Sequence, residues 1–441
     1  MTVHSTAASS FALAVFALSF GPTSALAITC DPGDSTARVA HLRDSCGSYA
    51  PCQDTLDEMS EWIDDCNQPS ASKPLLVHVG PGTFEGQFTC IQNQSFFFPN
   101  TNYAGHVTFR GSGRETTTLQ RTTLGGTQAP VVVENCENIG FENIRLFGGS
   151  YAVAWIDGGS SSWTNVDLEA GPAVNAVAWI ELPNPSVWCD SEVRGQHYFH
   201  GSTVTAHFTA GNRAIAYVAN CGETWFYGGE VTLRGSGGTG NTKAAAINVG
   251  GRGMFQGFGT LVRALSDDAT GATFNPSVSG AGLVGALVGI DTSGIVNDGG
   301  GTFHLHGGNL VANSGTTSAQ DATSLYVGTS DAFAHTPGSS FVAQSGTTGT
   351  ATRLTNLGTA FSPFLWQASD DPPTSRQPNG GTLTQSTDGH DLFVETDCDV
   401  DGDCEDSGTE THLMVYNETK CGATDPWFNV VTGRCRNDTG P

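Results

Sequence analysis

The sequence predicts an all-β protein that folds as a parallel β-helix, in which short strands wind around a common axis. Its composition is the first observation, because 57 glycines stand among 441 residues, which indicates many short strands and turns. The second is a segment with a small apolar core that recurs at intervals of about 24 to 42 residues. The copies are YAVAWI at 151, NAVAWI at 175, RAIAYV at 213, KAAAINV at 243, GALVGI at 285 and SLYVGT at 324. A solenoid needs such a strand once per turn, since small side chains fit a narrow interior.

The repeat distance separates the β-helix from its main alternative, a β-propeller. Propeller blades need about 40 to 50 residues in four antiparallel strands. The copies at 151 and 175 lie too close together for a blade of that size. Strand and turn signals run through residues 74–346. Their number predicts a β-helix of roughly ten rungs over this range.

The segments before these strands predict an export signal followed by a cap. Residues 1–27 hold a short apolar run that ends in Ala-Leu-Ala, which is typical of a secretory signal peptide. Residues 28–73 contain TLDEMSEWIDDC, a helical pattern with Leu56, Met59 and Ile63 on one face. A solenoid exposes unpaired strand edges at its ends, so we expect this helix to cover the first rung. We expect a secreted or cell-surface protein.

All twelve cysteines lie beyond residue 27, and an even number is typical of disulfides formed in an oxidising compartment. They crowd the two ends and are sparse between. In chain order they are Cys30, Cys46, Cys52, Cys66, Cys90, Cys136, Cys189, Cys221, Cys398, Cys404, Cys421 and Cys435. The sequence leaves their pairing open.

Two segments follow the predicted rungs. Residues 347–390 are rich in Gly, Thr, Ser and Pro and predict an irregular connection, and residues 391–441 form an acidic, Cys-rich piece. The acidic piece contains DCDVDGDC, whose spacing resembles the start of a calcium loop. The candidate Ca²⁺ ligands are Asp397, Asp399, Asp401 and Asp403. Gly408 stands where such a loop has its final Glu, so a solvated acidic turn is the alternative.

The charge balance excludes several partners. Eighteen Lys and Arg stand against 43 Asp and Glu, which gives a net charge of −25. Nucleic acids and anionic membranes need basic patches, so neither is an expected partner. Beyond the signal peptide no segment is apolar enough to predict insertion into a membrane.

The first strands carry a resemblance to a known family. LVHVGPGTFEGQFTC from residue 76, followed by HVTFRGSGRETTTL, resembles the opening rungs of the pectin lyase-like superfamily, and most of all those of the pectinesterases. The resemblance implies a right-handed, single-stranded parallel β-helix. It also implies a pectin-like or other cell-surface polysaccharide as the partner and, for an active member, hydrolysis of carboxylic esters.

The catalytic elements of pectinesterases have altered counterparts here. NAVAW resembles the family's QAVAL strand, GQHY has His197 where the family has its acid/base Asp, and HFTAGN has His207 where the family has its nucleophilic Asp. Histidine serves as a general base but cannot replace the carboxylate nucleophile. Two acids precede GQHY on one side of the chain. The candidate catalytic residues are Asp190, Glu192, Gln196, His197 and His207, with ordinary solvent-facing positions as the alternative for both histidines.

Aromatic residues predict a binding face. Trp155, Trp179 and Tyr217 occupy the same place in three repeats, and their Ala-rich neighbours favour the interior of the helix. A second set is the better candidate for contact with sugar rings, because aromatic faces on an open surface suit sugars. Its members are Trp163, Trp188 and Trp225.

Basic residues extend the candidate binding set. Arg194, Arg234 and Arg263 close successive units, where they either form a ladder that attracts a carboxylate or neutralise acids beside them. The candidate substrate-binding residues are Asn175, Trp188, Arg194 and Trp225. A protein that binds polysaccharide without catalysis is the favoured hypothesis. The alternative is a pectinesterase-like esterase or another polysaccharide-degrading enzyme, which would bring at least two acids and a basic residue into one groove.

Overall fold

The computed structural model describes most of the chain between residues 28 and 313 and isolated strands beyond it. The described ranges are 28–92, 100–122, 129–148, 152–173, 177–181, 195–209, 213–220, 222–236, 243–250, 253–266, 277–283, 302–313, 322–327, 333–335, 340–344, 350–356, 364–365, 382–384, 392–398, 410–416, 427–429 and 435–436. The expected signal peptide lies outside them.

The strands form three long parallel sheets and one short antiparallel sheet. Sheet 1 contains β1 (Val39–Leu42), β2 (Cys52–Gln53), β3 (Leu75–Val79), β6 (Gly105–Gly111), β9 (Glu137–Glu142), β12 (Ser160–Thr164), β15 (Gln196–His200), β18 (Glu223–Tyr227), β21 (Met254–Phe258), β24 (Thr302–His306), β27 (Phe333–His335) and β30 (Phe364–Leu365). Sheet 2 contains β4 (Gly82–Glu85), β7 (Thr117–Arg121), β10 (Arg145–Gly148), β13 (Asp167–Ala173), β16 (Thr203–Thr209), β19 (Glu230–Ser236), β22 (Leu261–Ser266), β25 (Asn309–Asn313) and β28 (Ser340–Gln344). Sheet 3 contains β5 (Phe88–Ile91), β8 (Val131–Glu134), β11 (Ala154–Asp157), β14 (Val177–Glu181), β17 (Arg213–Asn220), β20 (Lys243–Gly250), β23 (Ser277–Leu283), β26 (Ala322–Val327), β29 (Thr350–Asn356) and β31 (Thr382–Thr384).

From β3 to β30 the chain visits the three sheets in turn, one strand in each. From β3 to β27 every strand pairs in parallel with the strand three places further along the chain, as β3 does with β6 and β12 with β15. Each turn of the chain therefore adds one strand to every sheet. This is a parallel β-helix, and the predicted fold class is confirmed.

A left-handed residue turns the chain at the corner between sheet 1 and sheet 2. This residue directly follows the sheet 1 strand and has φ between 52° and 67° in six successive rungs. Only Gly and, at modest cost, Asn adopt this conformation readily. The corner residues are Asn143, Asn165, Gly201, Gly228, Gly259 and Gly307. The repeated corner keeps successive sheet 1 strands in register.

The core beneath sheet 1 is a column of stacked aromatic rings. Parallel register places these residues directly above one another, with ring centroids 4.2 to 5.8 Å apart, and every side chain is fully buried. The members are Phe109, Phe141, Trp163, Phe199 and Phe226. Burying such a side chain contributes roughly 1.5–3 kcal/mol, so this column is a major source of stability.

The predicted Ala-rich repeats form sheet 3. Strands β11, β14, β17, β20 and β26 overlap five of the six segments, and Trp179 stacks on Tyr217 in register with ring centroids 5.6 Å apart. Trp155 pairs with Ile180 instead, so it does not share their column. The segment at 285 lies outside the described residues, and the strand found in this rung is β23.

The predicted N-terminal helix is present and covers strand edges. Helix α1 (Leu56–Trp62) continues into a π-helical turn (Ile63–Asn67), and the three apolar residues predicted to share a face are all fully buried. The Asp57 carboxylate accepts a hydrogen bond of 2.8 Å from the backbone N–H of Gln87, and the Ser60 hydroxyl accepts one of 3.1 Å from that of Thr89. These helix side chains thus satisfy donors at the edge of sheet 3. A 3₁₀ turn (Asp34–Thr36) precedes β1.

Three disulfides are formed among the described residues. Cys30 bonds Cys66, Cys46 bonds Cys52 and Cys90 bonds Cys136. The first two lie within the crowded N-terminal group, and the third joins adjacent rungs. The sulfur atoms of the other six cysteines lie outside the part of the chain that the structure describes.

The solenoid extends beyond both expected boundaries. Strands β1 and β2 lie inside residues 28–73 and already pair in parallel with sheet 1, so that segment is more than a helical cap. Strands β29, β30 and β31 lie inside residues 347–390 and continue the rungs. The Gly- and Thr-rich composition of residues 347–390 shows no clear alternation of apolar and polar residues, so β29, β30 and β31 were not predicted.

The C-terminal piece contains a different kind of sheet. Sheet 4 is antiparallel and consists of β32 (Leu392–Cys398), β33 (Glu410–Tyr416), β34 (Trp427–Asn429) and β35 (Cys435–Arg436). Within the described ranges, no helix is long and apolar enough to cross a membrane.

Candidate functional site

Four strands of sheet 1 carry planar side chains on the face that points away from the core. Successive residues of a strand point to opposite faces, so the residues on either side of the buried Phe199 and Phe226 point outward. The same alternation continues in β21. We call these outward residues the planar array: Tyr198, His200, Trp225, Tyr227, Gln256, Phe258, His304 and His306.

Parallel register divides the planar array into two columns along the solenoid axis. Tyr198, Trp225, Gln256 and His304 follow one another in the first column. His200, Tyr227, Phe258 and His306 follow one another in the second. The array therefore spans four rungs, with two planar groups in each.

The rings of the planar array are stacked. In the second column the centroid distances are 4.8 Å for His200 to Tyr227, 5.2 Å for Tyr227 to Phe258 and 4.9 Å for Phe258 to His306, with planes within 8° of parallel. In the first column Tyr198 and Trp225 are 4.8 Å apart at 9°. Each rung thus repeats the ring orientation of the one before it.

The stacked rings overlap only in part, so a portion of each ring face stays exposed. Parallel rings in contact lie about 3.5–4 Å apart, so centroids separated by 4.8 to 5.2 Å imply a sideways offset of about 3 Å. A strip of each ring face is then left uncovered by its neighbour. Tyr227 is 41% exposed, which places it among the most exposed large apolar residues that the structure describes.

Sheet 1 differs from sheet 3 in leaving its outer face open. In sheet 3 consecutive residues are buried, as Val131, Val132 and Val133 are, so both faces are covered there. In β15, β18 and β21 burial alternates with exposure. The planar array is therefore accessible.

The planar array carries little formal charge, although the chain as a whole carries −25. Among the described outward side chains of β15, β18, β21 and β24, Glu223 is the single Asp, Glu, Lys or Arg. Amide, imidazole and phenol groups supply hydrogen-bonding capacity instead. The surface is flat, aromatic at its centre and polar at its edges.

His197 lies inside the solenoid, which corrects the expectation of a solvent-facing position. Its side chain is fully buried, and its ring packs edge-on against Trp179 with centroids 5.2 Å apart. Trp163 Nε1–H donates to the Ser161 hydroxyl at 2.7 Å, and that hydroxyl lies 2.9 Å from His197 Nδ1. Because Ser161 already accepts one bond, it is placed to donate to Nδ1.

Burial sets the protonation state of His197. Desolvation lowers the pKa of its imidazole to about 3, because burial penalises the charged form. Gly195 is required beside it, because a Cβ at that position would lie 2.6 Å from His197 Nε2. We interpret the neutral, buried ring as a part of the core.

His207 lies on a different sheet from His197, so the two do not share a groove. It stands on the outer face of sheet 2 with its Nε2 atom 3.6 Å from Glu169, and Arg145 Nε donates to the same carboxylate at 3.0 Å. Asp167 is on the same strand as Glu169, and its carboxylate forms an ion pair with Arg114 at an N–O distance of 3.1 Å. We call Arg114, Arg145, Asp167, Glu169 and His207 the charged cluster of sheet 2.

The two aromatic sets predicted from the sequence are not separated cleanly into buried and outward residues. Trp179 and Tyr217 are fully buried in the core, which confirms the interior placement for these two. Trp155 is also buried, but it is in register with Ile180 and so stands on the opposite face of sheet 3 from Trp179. Trp163 belongs to the second set but is also fully buried in the aromatic column. Trp225 points outward and joins the planar array, as its predicted binding role requires. Gln196 is exposed at the start of the same face.

The arginines do not form a ladder in the described part of the solenoid. Arg263 is in register with Thr232 and forms an ion pair with Glu230, while Arg234 is in register with Leu265. The alternative that they neutralise neighbouring acids is supported for Arg263.

Several predicted site residues lie outside the described residues. These are Asn175, Trp188, Asp190, Glu192, Arg194, Asp399, Asp401 and Asp403, together with the side chain of Asp397. Their predicted roles remain predictions. Within the described ranges, no group of three His, Cys, Asp or Glu side chains is arranged to hold a metal ion.

Seven members of the planar array were not predicted from the sequence as a site. A usable signal exists, because each residue of the second column directly precedes a corner glycine. The dipeptides are His200-Gly201, Tyr227-Gly228, Phe258-Gly259 and His306-Gly307. An aromatic or imidazole ring before a left-handed glycine, once per rung, marks an outward column.

Comparisons with known proteins give distant likenesses. No protein-family model matches the chain, and no curated protein matches it. Among solved structures, ORF18 of Geobacillus virus E2 is similar at 9% identity and a TM-score of 0.26, over 87% of this chain and 72% of that one. The A-module of the mannuronan C-5 epimerase AlgE6 of Azotobacter vinelandii is similar at 11% identity and a TM-score of 0.23, over 71% of this chain and 92% of that one. At these values neither likeness carries an argument about function.

Proposed function

We propose that this chain is an exported β-helix protein that binds polysaccharide along the outer face of sheet 1, without catalysis. The observation that carries the proposal is the planar array, an accessible surface of stacked rings across four rungs. Soluble proteins rarely expose such apolar surface without a binding role.

Polysaccharide suits this surface for chemical reasons. A sugar ring presents C–H groups on its faces, which pack on aromatic rings, and hydroxyls around its rim. The amide of Gln256 and the phenol of Tyr227 both donate and accept hydrogen bonds, as hydroxyls do. Repetition of the same groups in each rung matches a polymer of repeating sugars.

Export is part of the proposal. Three disulfides are typical of oxidising compartments, and the expected signal peptide would direct the chain there. We further propose membership of the pectin lyase-like superfamily, a pectin-like or other cell-surface glycan as partner, and Ca²⁺ binding in the acidic C-terminal piece.

The binding proposal is tested by affinity electrophoresis of residues 28–441 in gels that contain a soluble polysaccharide, across a panel that includes pectin. Trp225→Ala combined with Tyr227→Ala should abolish the retardation. Tyr49→Ala is the matched control, because Tyr49 is 43% exposed in the turn between β1 and β2, where it lies against His41, far from the planar array. Retardation by no polysaccharide, or equal retardation of all three proteins, would contradict the proposal.

A second candidate function is a polysaccharide-acting enzyme, and the charged cluster of sheet 2 favours it. Two carboxylates stand two residues apart on one strand face, with His207 and Arg145 in contact with Glu169. This arrangement places two acids and a basic residue on one surface. Glu169 would orient His207 as a general base.

The enzyme hypothesis is tested by assaying methanol, reducing ends and unsaturated uronate released from methylated and unmethylated pectin. A catalytic cluster predicts that Glu169→Gln and His207→Ala each reduce product formation while polysaccharide retardation persists. Product formation unchanged in both variants, or absent in the unmodified protein, would remove this candidate.

A further inference from the structure

We infer that the planar array takes an uncharged polysaccharide whose chain runs along the solenoid axis, with one sugar over each rung. This inference rests on the proposed function, and it specifies the ligand class, its direction and the length of the site.

The spacing of the rungs supports the direction. Ring centroids in the second column repeat every 4.8 to 5.2 Å, which is the separation of adjacent parallel strands. A pyranose linked through its 1 and 4 positions has about the same length. An extended 1,4-linked chain along the axis can therefore make the same contact in each rung. A chain parallel to the strands would meet one rung and leave the repetition unused.

The width of the planar array supports the same direction. Each rung offers two planar groups from residues two positions apart, such as Trp225 and Tyr227, on the same face of one strand. Residues two apart on a strand are separated by about 6.5–7 Å, which is close to the width of one sugar ring. The array is thus about one sugar wide and four rungs long.

The charge of the surface supports an uncharged ligand. A polyuronate carries one carboxylate per sugar, and such polyanions are held by Lys or Arg. The described outward side chains of the four strands include neither, and they include the carboxylate Glu223. On β6, further along sheet 1, Arg110 is ion-paired with Glu142. A net charge of −25 adds a general repulsion of polyanions.

The test uses isothermal titration calorimetry with uncharged 1,4-linked glucose oligosaccharides of two to eight sugars, and with 1,4-linked galacturonate oligosaccharides of the same lengths. At pH 8, above the range in which imidazoles usually gain a proton, the affinity for the uncharged series should rise about 3- to 10-fold per added sugar. The rise should stop at four sugars. The galacturonate series should bind at least about tenfold more weakly.

Removal of a rung tests the direction independently. Tyr198→Ala combined with His200→Ala removes the planar groups of the β15 rung, so the rise in affinity should stop at three sugars instead of four. A ligand that lies parallel to the strands predicts a different result: either all lengths lose binding equally or none is affected. Tyr49→Ala should leave the whole length series unchanged, and thermal unfolding checks that each variant is folded.

The outcomes separate this inference from the proposed function. Tighter binding of galacturonate would overturn the uncharged class, and affinity independent of length would overturn the rung-by-rung contact, yet in both cases polysaccharide binding would stand. Absence of binding to every glycan would overturn both proposals. Dimerisation of the free protein that is lost with Trp225→Ala and Tyr227→Ala would instead identify the face as a contact between two copies of the chain.

Discussion

The two faces of sheet 1 carry similar columns of rings in different surroundings. The inner column is stacked at 4.2 to 5.8 Å and fully buried, and the second column of the planar array is stacked at 4.8 to 5.2 Å and partly exposed. Phe199 and His200 are neighbours in sequence and belong to opposite columns. The stacking geometry is therefore a property of the parallel register, whereas the contribution of a ring to folding or to binding depends on which face it occupies.

The largest expected effect comes from the inner column. Phe199→Ala should lower the free energy of unfolding by about 3–5 kcal/mol, because it removes buried contacts and leaves a cavity. His200→Ala should lower it by less than about 1 kcal/mol, because an outward cross-strand pair contributes about that much at most. Urea unfolding of both variants measures the difference. Equal losses for these adjacent substitutions would contradict the division into a structural and an accessible face.

Acidic pH should affect the inner face through His197. Its pKa is about 3 in the folded protein, below the usual value of about 6.5 that applies when the chain is unfolded. As the pH falls from 6.5 towards 3, the unfolded chain therefore binds a proton that the folded chain does not, and the free energy of unfolding decreases. The contribution is about 3 kcal/mol between pH 7 and pH 4.

A comparison with His197→Gln isolates this effect from the titration of the many carboxylates. The amide retains a polar partner for Ser161 but does not titrate in this range. Urea unfolding between pH 7 and pH 4 should show a smaller decrease for the variant than for the unmodified protein. Parallel pH profiles would show that His197 does not remain neutral inside the fold.

The corners that align the two columns should show an intermediate effect. Gly201 has a φ of 58°, and a Cβ there would meet nothing within 4 Å, so the cost of Gly201→Ala is one of backbone conformation alone. We expect about 1–2 kcal/mol. Gly201→Asn should cost less, because Asn165 adopts the same conformation one rung earlier. Thermal unfolding of both variants checks the order, and a larger loss for Asn would contradict it.

The smallest effect on stability is expected in the planar array itself. Tyr227→Ala should lower the free energy of unfolding by less than about 1 kcal/mol, since its stacking partners Phe258 and His200 are themselves on the outer face. The same substitution should weaken polysaccharide binding about tenfold, as expected when one aromatic contact is lost. A large loss of stability with unchanged binding would assign Tyr227 to the scaffold.

The fold could be predicted from the sequence because the strand and turn patterns repeat once per rung. Small residues recur in sheet 3, where Ala178, Ala216 and Ala246 are fully buried, and the helical pattern before the rungs is clear. The ends of the solenoid were harder to predict. Strands in the Gly- and Thr-rich segment, such as Thr350–Asn356, have no clear alternation of apolar and polar residues.

The outward face was harder to predict, because a shift of one residue exchanges the two faces of a strand. In Gln196–His200, QHYFH, either set of alternate residues contains an aromatic ring and a polar group. The sequence therefore does not decide between an outward His197 and an outward Tyr198. SSSWT is different, because the alternate set without Trp163 contains only Ser and Thr; alternation therefore favours Trp163 in the core, where it is fully buried.

Hydroxyl-radical footprinting read by mass spectrometry tests the central claim most directly, because it reports on both faces in one sample. With a polysaccharide that retards the protein in gels, labelling of Tyr198, Trp225, Tyr227 and Phe258 should fall, and labelling of Tyr49 should stay constant. The inner ring Phe199 should be protected with or without polysaccharide. Protection confined to other surfaces, with unchanged labelling of the planar array, would contradict the assignment of this face as the binding surface.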